Sequence, residues 1–367
     1  MCILFLYHAL GDPPGGQPEP STSSLFDNKS RTGIGGRYKL IVASNRDEWL
    51  DRPSAPIHFW KETKSNLLAG RDLTAGGTWL GVNRSGKFAT VTNIPSAWDE
   101  LVSFAEGQKT STRATLVSTT IAVAAAAAVI VKRQGGGWVL SLGLLCAGIF
   151  TASVGLAVAV TAALRRSRGS LVSEFLKGNE SAEEYGSRVL KDRWRYAGFN
   201  LVLVDSGSAW VLSNKGEEAV KRLPHGLYGV SNASLDTPWT KMLYGKSRVL
   251  EVLLRIVADS KLSEDALVDL LMDVLADDSA CPPPYKSIAR SMGKTWHALA
   301  RVCIPPTALF RWWTMNGIRS LYGTRSSTVV LVDASGRMKV VERNFGDEAG
   351  GGTMRDAKRS TFEFCDV

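Results

Sequence analysis

Tyr38-Lys39-Leu40-Ile41-Val42-Ala43-Ser44-Asn45-Arg46-Asp47-Glu48 carries an apolar run, Tyr38 to Ala43, straight into four consecutive polar groups, Asn45 to Glu48. Trp49-Leu50-Asp51-Arg52-Pro53 follows as a turn. A Leu/Ile/Val-rich run bounded by Gly36 and Pro53 has the composition of a strand, and a charged cluster at a strand's end sits where sheets present chemistry. The same four residues also have the composition of a solvated turn. The start of the chain bears on which description holds.

Cys2 precedes Ile3-Leu4-Phe5-Leu6-Tyr7, a second apolar run of strand length. Removal of Met1 would leave Cys2 with an α-amino group of pKa about 8 beside a thiol of about 8.5, so one residue would hold both nucleophile and base. Such a pair calls for an Arg to favour the thiolate, a carboxylate to hold the ammonium form and an Asn to donate to an oxyanion. Arg46, Asp47 and Asn45 are those types, and adjacent antiparallel strands would bring them beside Cys2.

Further stretches extend the pattern: Arg71-Asp72-Leu73-Thr74-Ala75-Gly76-Gly77-Thr78-Trp79-Leu80-Gly81, Thr92-Asn93, Tyr196-Ala197-Gly198-Phe199-Asn200-Leu201, Gly229-Val230-Ser231-Asn232-Ala233, Pro238-Trp239-Thr240-Lys241, Gly323-Thr324-Arg325 and Thr361-Phe362-Glu363-Phe364. In this order they resemble the NRDE family, whose animal members are called transport and Golgi organization protein 2 homologs. The resemblance covers nearly the whole chain. It implies an α+β fold, a four-layer αββα sandwich similar to the N-terminal nucleophile hydrolases, here with an inserted apolar hairpin. On the matching positions it implies catalytic candidates Cys2, Arg46, Asp47, Asn232 and Arg325, the last two by resemblance alone, and ligand-binding candidates Asn45, Glu48, Arg71, Asp72, Asn93 and Asn200.

A fold of this kind does not fix a reaction. Two classes follow from the resemblance. In the first place stands a role in Golgi organisation and protein secretion, as binder or carrier of a small lipid-like or haem-like ligand, with haem as cargo and no cofactor required. The alternative is an N-terminal cysteine hydrolase of amide-like bonds. The implied location is the cytoplasm, associated with Golgi or mitochondria.

Composition agrees with a folded protein: 367 residues with 44% hydrophobic content are enough for a sizeable core. The net charge of +9 gathers around Arg165, Arg166 and Arg168 and between Lys286 and Arg325. Local patches without a nucleic-acid motif argue against nucleic acid as a partner. Five cysteines, Cys2, Cys146, Cys281, Cys303 and Cys365, form no short pair, against a disulfide framework or structural zinc and in favour of a reducing compartment. The apolar run after Cys2 is too short for a signal peptide and nothing basic precedes it. His8, His58, His225 and His297 lack ligand spacing, so no metal site is expected, and the single Cys281-Pro282 pair is a slight pointer to haem.

Glycine turns predict hairpins for Thr78–Asn83 with Lys87–Asn93, Phe199–Asp205 with Ala209–Ser213, and Thr328–Asp333 with Met338–Glu342. Helices are predicted from Trp239 to Ile256 and from Glu264 to Ala276, the second capped by Ser263 with Leu267, Leu270, Leu271 and Val274 on one face. Residues 1–98 and 167–367 are expected to form one interleaved domain, with 9–37 a flexible loop expansion. The segment 112–166 departs from the family pattern. Its uncharged stretches, Ala114–Val131 and Trp138–Leu164, are long enough for a membrane hairpin that would anchor the protein through 114–164, and they equally fit non-coding sequence carried into the reading frame. The other departure is a basic and aromatic excursion at 281–322, read as packed helix or membrane interface.

Overall fold

The computed structural model describes residues 2–10, 34–62, 67–94, 164–215, 220–279, 301–305, 307–310, 319–345 and 357–365. The chain divides into two compact units. The first comprises Met1–Ile94, Ser167–Arg193 and Gly198–Val367, and the second Pro95–Arg166 and Trp194–Ala197. In the second unit, the Arg166 backbone N–H donates to the Arg195 carbonyl at 2.8 Å and the Arg166 guanidinium lies 5.8 Å from the Tyr196 ring centre.

The first unit is built from two antiparallel sheets. One runs β10 (Gly226–Val230), β1 (Ile3–His8), β2 (Tyr38–Trp49), β12 (Arg319–Asp333), β13 (Met338–Asn344), β14 (Lys358–Phe364), with β11 (Thr307–Phe310) also paired to β12. The other is a meander in chain order: β3 (Ser54–Phe59), β4 (Leu68–Asp72), β5 (Leu80–Val82), β6 (Phe88–Asn93), β7 (Phe199–Val204), β8 (Ala209–Ser213), β9 (Val220–Leu223). Strand alternation divides the core in two. Leu4, Leu6, Leu40 and Val42 join Leu68, Phe88, Val202 and Val211 between the sheets. Ile3, Phe5, Tyr7, Ile41 and Ala43, on the opposite face, pack under α3 (Thr240–Ala258) and α4 (Glu264–Leu275).

The second sheet is covered in turn by α1 (Arg168–Lys177) and α2 (Ala182–Lys191). Asn83 donates to the Leu176 carbonyl and Lys87 Nζ to the Gly178 and Glu180 carbonyls, each at 2.7 Å. The layers therefore stack α, β, β, α, the sandwich expected. Both predicted helices form: Ser263 Oγ accepts from Ala266 N–H at 3.2 Å, and Leu267, Leu271 and Val274 are buried while Leu270 is partly so. The three predicted hairpins form as well, two of them turning through glycines in the left-handed region, Gly86 (φ 74°) and Gly336 (φ 93°).

Two expectations need correction. Strand β2 does not end with its apolar residues, nor does the expected turn begin at Trp49. Asn45 to Trp49 continue the strand, because β12 is long enough to pair with it from Asp333 opposite Tyr38 to Tyr322 opposite Trp49, giving the polar residues a ladder partner. In the 281–322 excursion, residues 307–310 are extended and paired with the first four residues of β12, where helix was expected, and Val302, Cys303 and Ile304 are buried. The ends of the 9–37 segment are also core: Leu10 lies between the sheets and Ile34 under the helices. Its middle, 11–33, falls outside the described residues, as do 112–163 of the inserted apolar segment and Cys281, Trp296 and Trp312. Among the described residues no helix is long and apolar enough to cross a membrane.

Candidate functional site

β1 pairs with β2 on one side, Ile3 opposite Asn45, and with β10 on the other, Leu4 opposite Val230. That register sets Cys2 between the polar end of β2 and the loop that leaves β10. The Cys2 thiol lies 4.0 Å from the Asp47 carbonyl, and the Cys2 carbonyl accepts from Ser231 Oγ at 2.7 Å. Alternation then sends neighbouring residues of β2 to opposite faces.

Asn45 and Asp47 point toward the helices. Asn45, fully buried, donates to the Leu275 and Val302 carbonyls at 2.8 and 2.9 Å and accepts from Ser327 Oγ at 2.6 Å. Asp47 accepts from Thr324 Oγ1 at 2.7 Å, while Thr324 Oγ1 itself accepts from Ile304 N–H. Burial pushes the Asp47 carboxyl above its ordinary range, and the charge of Lys241, buried in the first turn of α3, together with the Thr324 hydroxyl pulls it back.

Arg46 points the other way, between the sheets. Its guanidinium lies 4.0 Å over the Trp79 ring and its Nη1 donates to Ser54 Oγ at 3.1 Å. Among the described residues that is the one hydrogen bond its five donors make. Burial lowers the Arg46 pKa from its ordinary value, with Glu48 and Cys2 opposing. Glu342 of β13, absent from the sequence-based candidates, faces the same interlayer and accepts from Ile57 N–H at 2.8 Å. Burial pushes its carboxyl up to about 7, against the Ile57 N–H, the Arg46 charge and the Ser326 hydroxyl.

Other candidates hold the frame of this site. Arg325 Nη1 donates to the carbonyls of Trp49, Leu50 and Arg52 at 3.2, 3.0 and 2.7 Å, fixing the turn after β2. Glu48 accepts from Trp49 N–H at 3.0 Å and lies 4.0 Å from Arg52, whose Nε is 2.8 Å from Asp72. Asp72 also accepts from the Thr74 and Ala75 N–H groups at 3.0 Å, shaping the turn after β4. Asn200 Nδ2 donates to Thr92 Oγ1 and to the Ser231 and Ala233 carbonyls at 3.2, 3.2 and 2.7 Å, and Asn232 Nδ2 donates to the Asn93 carbonyl at 2.7 Å. These bonds tie the loop beside Cys2 to the second sheet. Arg71 is engaged elsewhere, 2.6 Å from Glu62 and 4.5 Å over Trp60.

Of the sequence-based candidates, Cys2 lies beside Asp47 and the loop that carries Asn232, while Arg46 faces the interlayer with Ser54 and Glu342, which with Lys241 were absent from those candidates. Only Lys241 had a signal, the lysine of Pro238-Trp239-Thr240-Lys241 just inside a predicted helix. Burial also pushes the Cys2 thiol above its ordinary value, and the charges of Asp47 and Glu48 push it further. Among the described residues no three His, Cys, Asp or Glu side chains group as a metal site.

The family description Transport and Golgi organisation 2 matches residues 24–140 and 142–347. The chain is 28% identical over 325 residues to the Transport and Golgi organization 2 homolog of Mus musculus, covering 85% of this chain and 88% of that one. To the Transport and Golgi organization protein 2 homolog of Homo sapiens it is 29% identical over 323 residues, covering 85% and 88%. Among solved structures, the mutant C2A conjugated bile acid hydrolase from Clostridium perfringens aligns with 11% identity and a TM-score of 0.36, over 91% of this chain and 95% of that one.

Proposed function

The chain belongs to the Transport and Golgi organisation 2 family, and from that membership we propose that it acts in Golgi organisation and protein secretion as a binder or carrier of a small amphipathic ligand, lipid-like or haem-like, whose anionic group meets Arg46. The observation that supports this reading is the state of Arg46 itself. A guanidinium buried on an indole face, with one of its five donors bonded among the described residues, suits a carboxylate or phosphate arriving from outside the protein. The protein would work in the cytoplasm in association with Golgi or mitochondria.

A hydrolase reading has the support of Cys2 standing beside Arg46 and Asp47. Two features weigh against it. Both amide hydrogens of Asn45, the oxyanion donor expected from residue type, are committed to the Leu275 and Val302 carbonyls, and one hydrogen of the Asn232 amide is engaged by the Asn93 carbonyl. Rescue of cells lacking the endogenous protein separates the readings, comparing Cys2→Ala with Asp47→Ala and Arg46→Gln at matched expression. The binder reading expects Cys2→Ala to rescue and the other two to lose most function. Failure of a normally folded Cys2→Ala would overturn it.

A further inference from the structure

Glu342 owes its position to an irregularity in the opposite sheet. The pairing of β3 with β4 shifts register between Ala55 and His58, and the Ile57 N–H inside that shift donates across the interlayer to Glu342 Oε2 at 2.8 Å. On its own sheet Glu342 is 1% exposed, in the row Ser44–Thr328–Glu342. The neighbouring row on the same face is Arg46–Ser326–Asn344. Strand β3 is therefore gripped twice from the first sheet, by Glu342 through Ile57 and by Arg46 through Ser54. A buried carboxyl and a buried guanidinium thus face the same interlayer, one row apart with β12 between their strands.

We propose that Glu342 sets the charge of the Arg46 site, so that the site takes a singly anionic head group and holds it more tightly when Glu342 is protonated than when it is ionised. This rests on the binding reading above and specifies the ligand's charge. With Glu342 neutral, Arg46 presents its full charge to an incoming anion; with Glu342 ionised, the incoming anion meets a second negative charge in a poorly screened space. The carboxyl, pushed up to about 7, changes state near neutrality.

Other charged or titratable groups stand around the pair. Arg325 shares Ser54 Oγ at 3.4 Å but is occupied by three carbonyls of the turn after β2. Glu48 is bonded to Trp49 N–H. The Cys2 thiol is pushed up, away from the neutral range. His58, on β3, has its Nδ1 on the Pro56 carbonyl at 2.8 Å.

The test uses the full chain and 1-anilinonaphthalene-8-sulfonate, an apolar fluorescent probe whose sulfonate keeps one negative charge throughout the titration. The Arg46-dependent part of its binding is the difference between wild type and Arg46→Gln. In the wild type that part is expected to weaken about tenfold between roughly pH 6 and pH 8. Glu342→Gln should flatten the profile at the tighter value and His58→Gln should leave it unchanged. A flat wild-type profile overturns the inference whether or not the Glu342 variant folds, and so does a pH dependence that Glu342→Gln retains. Absence of any Arg46-dependent signal would instead refute the binding reading and take this inference with it.

Discussion

On the helix side of β2, Asn45 commits both amide hydrogens and its carbonyl to Leu275, Val302 and Ser327. On the sheet side, one residue along, Arg46 is nearly as buried yet makes one hydrogen bond among the described residues. Adjacent residues of one strand have thus been put to different uses. Where every polar atom is matched, the residue is a joint between layers, and its value is in stability. Where a buried charge is left with capacity, the cost of burying it is unrecovered within the protein, which is the usual mark of a site awaiting a partner.

The comparison breaks most readily at Asn45. Asn45→Ala removes three buried hydrogen bonds and leaves two carbonyls and a hydroxyl without their partner, so a loss of about 4 kcal/mol is expected in denaturant unfolding. Arg46→Gln should cost far less stability while removing probe binding. An Arg46 variant as unstable as Asn45→Ala would mean that both faces are structural.

A second test sharpens the sheet side by pH. Glu342 is protonated more readily folded than unfolded, its carboxyl raised to about 7 from an ordinary 4.5. Its stabilising contribution is therefore complete below about pH 4.5 and is lost as pH rises through about 7, by up to roughly 3 kcal/mol. Glu342→Gln should remove that slope, so the variant gains on the wild type as pH rises and leads it at pH 8. Parallel stability curves for the two proteins would place Glu342 among the joints with Asn45.

The opposite sheet adds a direct backbone contact to its side-chain bonds with the helices. A Cβ on Gly77 would come within 2.5 Å of the Gly169 carbonyl carbon at the start of α1, and Thr78 N–H donates to the Gly169 carbonyl at 3.2 Å. Gly77→Ala should therefore cost about 2 kcal/mol, because neither backbone can yield without disturbing α1. Its probe binding should stay at the wild-type level, since Gly77 touches neither Arg46 nor Glu342. A change in binding would show that the α1 side and the site are coupled.

What the sequence disclosed follows the range of the interactions involved. Hairpins turning through Gly86 and Gly336 and the Ser263 cap are local, and they were legible. The extension of β2 through Asn45–Trp49 was not, because polar residues carry little strand signal and the strand that holds them lies far along the chain. Helix α2 had a readable sign in Ser181 and Glu184, whose side chains and backbones cap one another, though no helix was predicted there. Glu342 could not have been found by pattern. It is one charge in an alternating strand, and its burial depends on a bulge in a strand of the other sheet.

The smallest effect is expected at Cys2, where the comparison bears on function most directly. The thiol's hydrogen-bonding contact among the described residues is the Asp47 carbonyl at 4.0 Å, near the limit for sulfur, and the backbone bond from Ser231 survives any side-chain change. Cys2→Ala should thus alter stability by under about 1 kcal/mol. The same burial that raises the thiol should make Cys2 slow to alkylate at neutral pH, with a rate that climbs only above the ordinary thiol range. Iodoacetamide labelling followed by mass spectrometry reads this directly on the peptide that carries Cys2. Rapid labelling of Cys2 at pH 7 would mean a thiolate is already present, which the binder reading does not require and which would favour the hydrolase reading.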